Sequence, residues 1–254
     1  MNLLLATWLL TLRALRRSIR QPADEFANMF IPLFFYFVTV GAVGSVAAEA
    51  FGVADYKGFQ LPVAVLQGAA GVASGAGLAM TLDIQSGYFE KLSLTAAPRL
   101  ALVLGRMVAD GLKAVVLAML IVAVAFVYGS KFQTGVLGVV CLLAATFAFT
   151  VAYAGFGVAI ALKTGSPQAA QAGFILFFPL LFLAPTFAPL EVFATWLEVV
   201  ARLNPVTYIL VGMRSLVTDG WDAEALAKGG AAVAGVAVAA LTLTLLALRG
   251  RVQR

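Results

Sequence analysis

Apolar positions in this chain do not alternate with polar ones. They run on for about twenty residues at a time, at 28–48, 61–82, 108–128, 135–162, 169–187 and 230–248. A helix needs about 20 apolar residues to cross the hydrocarbon core of a bilayer. Uninterrupted runs predict helices, because the strands of a barrel alternate lipid-facing and lumen-facing side chains. The pattern therefore predicts an all-α membrane protein with six transmembrane helices. Pro32, Pro179 and Pro185 predict bends. The fourth run is long enough to tilt or to break near Gly155 and Gly157.

The first 22 residues have a different pattern. At 100° per residue Trp8, Leu12, Leu15 and Ile19 share one face, and Arg13, Arg16, Arg17 and Arg20 share an adjacent one. A signal peptide carries its positive charge before the apolar stretch; here the arginines follow the leucines. The segment reads as an amphipathic helix at headgroup level, basic side toward anionic lipid, ended by Pro22.

Two connections between the runs are long enough to matter. In 83–107, residues Gly87 to Leu94 can form a short amphipathic helix, with Tyr88, Phe89 and Leu92 on its apolar side and Glu90 and Lys91 on its polar side. Pro98 stops it. Aromatics on a short helix fit either a groove on a partner or a lipid surface. Arg106, Asp110 and Lys113 follow at spacings that allow pairing at the membrane boundary. In 188–228, Trp196, Leu197, Val200 and Leu203 recur at helical spacing, Asn204-Pro205 interrupts, and a second apolar piece spans Val206 to Val217. Neither piece reaches span length, so both are expected to be short external re-entrant helices, in which Arg214 must pair or snorkel.

Composition narrows the function classes. Only 11% of the 254 residues are charged and 62% are hydrophobic, against about 25% charged in soluble domains, which nearly excludes a soluble enzyme. There is no histidine and a single cysteine, Cys141, which leaves no His-based catalytic or metal site and no internal disulfide. None of the six lysines follows a glycine, so the chain holds no Walker-A phosphate cradle. No carboxylates pair deep inside a run as a proton relay needs. The chain thus shows no catalytic and no metal site, and uphill transport would draw its energy from another subunit. With the N-terminus inside, 12 of the 17 Lys and Arg residues fall on the inner side, which orients both termini toward the cytoplasm. Small residues, including Gly71 and Gly75, crowd the second run and permit close helix approach. Phe34, Phe35 and Phe37 in the first run and Phe174, Phe177 and Phe178 in the fifth are candidates to line a path for an apolar or amphipathic cargo.

The order of parts resembles the ABC-2 type permeases, the membrane subunits of bacterial ABC exporters, and within them the daunorubicin-resistance membrane-protein subgroup. The residues that carry the resemblance are Pro189, Trp196-Leu197, Asn204 to Thr207 and Arg214 to Leu216, with Pro98-Arg99 and Gly105-Arg106 before the third span. The resemblance implies one transmembrane domain over 1–254: interface helix 1–22, spans one and two in 28–82, coupling segment 83–107, spans three to five in 108–187, external hairpin 188–228 and last span 230–248. It implies a multi-pass protein of the bacterial inner membrane that pairs with a second permease chain, identical or related. Two ABC ATP-binding subunits would bind ATP and Mg and receive Gly87, Tyr88, Phe89, Glu90, Lys91, Leu92, Pro98 and Arg99 in a groove. The external hairpin would present Trp196, Asn204, Pro205 and Arg214. The expected function is ATP-driven export of a hydrophobic or amphipathic small molecule or lipid. The other readings are export of a lipid-linked polysaccharide or teichoic acid, and an ATP-independent channel or scaffold. Nucleic acid is not an expected partner.

Overall fold

The computed structural model describes residues 2–20, 22–53, 55–94 and 98–252. All regular structure among them is helical: α1 (Leu3–Ile19), α2 (Pro22–Phe51), α3 (Tyr56–Gln85), α4 (Tyr88–Ser93), α5 (Arg99–Val127), α6 (Gly135–Thr164), α7 (Pro167–Phe182), α8 (Thr195–Leu203), α9 (Pro205–Arg214) and α10 (Ala223–Val252). A 3-10 turn, Leu190–Val192, precedes α8, and a π turn, Ser215–Asp219, follows α9. Five helices, α2, α3, α5, α6 and α10, are long and apolar enough to cross a membrane.

The fifth expected span is shorter than its apolar run. Helix α7 has 16 residues and stops at Phe182, at a rise of 1.5 Å per residue less than the core thickness. Pro185 lies three residues beyond, and the chain runs irregularly to Pro189. The α7 segment nevertheless reaches from one end of the bundle to the other. Gln85, at the C-terminal end of α3, donates to the carbonyl of Gly165 before α7 (3.2 Å). Gln60, at the N-terminal end of α3, donates to the carbonyl of Thr186 after it (2.8 Å). Helix α6 runs unbroken through Gly155 and Gly157.

Helix α3 is the axis of the bundle. It packs against α2, α5, α6 and α7 along its length and against α4 and α9 at its two ends. Lipid tails are as apolar as leucine, so membrane helices associate through close packing and shared hydrogen bonds. The small residues of α3 provide that packing: a Cβ on Gly77 would lie 2.7 Å from the Gly157 carbonyl oxygen of α6. Elsewhere hydroxyls tie helices together where glycines bring them close. Thr11 of α1 donates to the Gly105 carbonyl of α5 (3.1 Å), and Thr244 of α10 to the Gly155 carbonyl of α6 (2.9 Å).

Candidate functional site

At the end of the bundle where α3 stops, Gly87 turns the chain into α4. It sits at φ +68°, a left-handed conformation that costs a glycine little. Its N–H closes the end of α3 on the Ile84 carbonyl (3.0 Å). The aromatic pair of α4 faces inward. Phe89 is 6% exposed and joins the core with Met80 and Leu102. The Tyr88 ring lies under the Arg13 guanidinium of α1 at 3.5 Å. Arg13 and Arg17 both reach Asp83 at the end of α3, at 3.9 and 3.2 Å. What α4 turns outward is Glu90 and Lys91, followed by Leu94, which is 88% exposed. Leu92 is half-buried beside Phe89. Pro98 caps the start of α5; the side chain of Arg99 lies outside the described residues.

The arginines of α1 thus divide. Arg13 and Arg17 clamp α1 to α3 and α4, while Arg16 and Arg20 stay exposed. Trp8 is exposed on the outer face with Leu4, Leu5 and Leu9, whereas Ala6 and Thr11 are buried. The face of α1 that packs on α5 is therefore the small one, next to Gly105.

A second ionic cluster lies just inside. Asp110 of α5 is 0% exposed and is held between Arg106 (3.2 Å) and Lys113 (2.7 Å). Lys113 continues to Glu25 of α2 (3.1 Å), which also takes the Ser18 hydroxyl of α1. Arg106 donates to the Gly75 carbonyl of α3 (3.4 Å). A buried carboxylate is tolerable when paired on both oxygens, and here the pairing links α1, α2, α3 and α5. The i, i+3 and i, i+4 members are readable from spacing. Glu25 and Gly75 are joined only by the fold.

The candidate path aromatics do not form one surface. Phe34, Phe35 and Phe37 are exposed on α2, with Phe34 stacked on Phe30. Phe177 is 0% exposed and packs with Phe149 and Tyr153 of α6. Phe178 stacks on Phe182. The side chain of Phe174 lies outside the described residues. A narrow cleft between α2, α3 and the end of α7 does bring Phe35 together with Phe182, Phe187, Gln60 and Gln67. Of the two glutamines there, Gln60 borders the second apolar run and Gln67 lies within it.

At the opposite end, the hairpin residues close off α7. Asn204 accepts the Val206 N–H as the cap of α9 (3.0 Å) and donates to the Leu180 carbonyl. Three successive carbonyls of the irregular stretch are then taken by three side chains. Arg214 donates to Pro185 (2.8 Å), Gln60 to Thr186 (2.8 Å) and Tyr56 to Phe187 (3.0 Å). Arg214 also donates to the Phe59 carbonyl (3.1 Å) and lies over the Phe59 ring at 3.4 Å. Pro205 occupies the first turn of α9, where a missing N–H costs nothing. Helix α8 behaves differently from α9. Trp196 is 67% exposed, Val199 and Leu203 are exposed, and Ala201 alone is buried, so α8 leaves most of its apolar surface uncovered by the rest of the chain.

Among the described residues, no group of three or more His, Cys, Asp or Glu side chains is placed to hold a metal ion. A family model described as ABC-2 type transporter matches residues 6–218. The chain is also similar to the daunorubicin resistance ABC transporter permease protein DrrB1 of Streptomyces coeruleorubidus, 24% identical over 216 residues that cover 83% of this chain and 75% of the relative.

Proposed function

Because the chain belongs to the ABC-2 type transporter family, we propose that it is the permease subunit of an ATP-driven exporter whose ATPase is a separate polypeptide. The observation that carries this reading is the posture of α4. A six-residue helix is anchored by Phe89 and Tyr88 on its inner side and turns Glu90, Lys91 and Leu94 away from the bundle. An exposed leucine beside charged residues is the composition of a small docking face. Two ATP-binding subunits, holding ATP and Mg, would grip α4 on each of two permease chains.

The anchoring decides where a push on α4 goes. Burying a phenylalanine stabilises by about 2 kcal/mol, and the Tyr88–Arg13–Asp83 contacts add to it. Displacement of α4 therefore carries α1 and the end of α3 with it, and the Asp110 cluster extends the connection to α2 and α5. The differential energy between two bundle positions would come from ATP binding and hydrolysis in the partner.

In this reading α7 and the stretch to Phe187 complete a sixth crossing. Both termini then lie in the cytoplasm with α4, in agreement with the Lys and Arg distribution. The α9 end faces outside, in a bacterial inner membrane. The cargo is a hydrophobic or amphipathic small molecule or lipid, which the named role of the DrrB1 relative in daunorubicin resistance supports.

Co-purification tests the assignment. The chain alone should not hydrolyse ATP, and with its ATP-binding subunit it should form an ATP-hydrolysing complex. Leu94→Glu with Lys91→Glu should abolish the complex while leaving the permease monodisperse. Full complex formation and transport by that double variant would refute the docking face.

A further inference from the structure

The end of the bundle opposite α4 contains a cleft of about 830 Å³ between the end of α2, the start of α3, α9 and the start of α10. Because α2 ends and α3 and α10 begin there, the cleft lies at the level where the spanning helices leave the hydrocarbon, the level of lipid headgroups. Phe51, Val53 and Leu190 give it apolar walls. Its floor is one face of α9, where Thr207, Val211 and Arg214 recur at helical spacing.

Two floor side chains are unusual. Thr207 is 2% exposed and its hydroxyl has no hydrogen-bond partner among the described residues. Arg214 is 7% exposed. Two of its five N–H groups go to backbone carbonyls, and the carboxylates that act on it electrostatically, Asp219 and Glu191, lie beyond ion-pair distance. A cation in that position is costly without a counter-charge. The carboxylates around the rim are mostly committed elsewhere. Asp55 caps α3, Asp222 caps α10 and Glu224 pairs with Lys228 (2.6 Å). Glu191 and Asp219 line the cleft, exposed, with no cation within ion-pair distance among the described residues, and Asp219 accepts the Thr218 hydroxyl (2.9 Å).

The cleft thus offers a buried cation at its base and two carboxylates without an ion-pair contact at its mouth, with apolar walls at membrane-interface depth. A simple cation would meet Arg214, and a simple anion would have to pass Glu191 and Asp219. We propose that the cleft seats the headgroup of a zwitterionic phospholipid from that leaflet, its phosphate toward Arg214 and its ammonium toward Glu191 and Asp219. Arg214 supplies the planar donor fork that suits phosphate. A primary ammonium can donate hydrogen bonds to the carboxylates, so phosphatidylethanolamine fits better than phosphatidylcholine, and phosphatidylglycerol fits least. The inference stands apart from the transport reading, since it requires only that the bundle spans a bilayer.

The test is lipid retention by the full-length chain, measured by native mass spectrometry with phosphatidylethanolamine, phosphatidylcholine and phosphatidylglycerol of equal acyl chains. The wild type should retain the ethanolamine lipid preferentially. Glu191→Gln with Asp219→Asn alters only exposed side chains; it should cut that preference about tenfold, the scale of one charge-assisted hydrogen bond, without reducing phosphatidylglycerol binding. Arg214→Gln, if it remains folded by thermal unfolding, should weaken all three lipids. Equal or tighter binding of phosphatidylglycerol by the wild type would overturn the proposal, and so would an unchanged preference in the folded rim variant.

Discussion

A Cβ added to Gly77 would sit 2.7 Å from the Gly157 carbonyl oxygen, whereas one added to Gly75, two residues away, would meet nothing within 4 Å. The same substitution type therefore has opposite expected outcomes on one helix. Gly77→Val must push α3 and α6 apart and is expected to destabilise by about 2 kcal/mol or more. Gly75→Ala is expected to be neutral or mildly stabilising, by up to ~1 kcal/mol. Thermal unfolding of the two variants in one detergent separates them; equal midpoints would show that the Gly77 contact does not hold the helices. The crowding of small residues in this segment is visible in the sequence. Which of them touches a neighbour is not, because that depends on the rotation of α3 against a helix eighty residues away.

Among elements, α1 and α5 are held by ionic contacts of very different strength. Asp83 and its arginines are partly exposed, and such pairs are worth about 0–1 kcal/mol each. Asp110 is buried between two cations, and removing one partner of a buried set costs about 3–5 kcal/mol. Asp83→Asn should leave the bundle folded but loosen α1, seen as faster hydrogen exchange over residues 3–19 with α5 and α6 unchanged. Asp110→Asn should lower the unfolding midpoint of the whole protein. The reverse ranking would mean that burial does not set the worth of these pairs. The positions of α1, α4, α8 and α9 were legible from periodicity. The facing of α4 was not: Tyr88, Phe89 and Leu92 mark an apolar side, yet the pattern does not say whether a partner or the chain itself covers it. Met80, Leu102 and Arg13 cover it here. The end of α7 differs from its apolar run for a related reason. The apolar run continues to Phe187, but the backbone turns irregular because its carbonyls are satisfied by Gln60, Tyr56 and Arg214 rather than by a further helical turn.

For the whole molecule, the proposed orientation makes Lys91 and Trp221 opposite poles, both exposed. In a Cys141→Ser background, Lys91→Cys should react with a membrane-impermeant maleimide only in inside-out vesicles, and Trp221→Cys only in right-side-out vesicles. Reaction of both from one face would remove the six-crossing topology. Five helices are long and apolar enough to cross, and their continuous apolar runs are plain in the sequence. The α7 segment shows there too, as the run 169–187, but its early end does not, because it depends on Arg214, Gln60 and Tyr56, which lie 29 to 131 positions from the carbonyls they bind.

The order of synthesis gives the α7 end a further consequence. Its carbonyls at 180 and 185 wait for Asn204 and Arg214, which leave the ribosome some twenty to thirty residues later. During that interval bare peptide oxygens stand at the edge of lipid. A nascent chain halted just before Asn204 should be a substrate for membrane quality control, and the full-length chain should escape it.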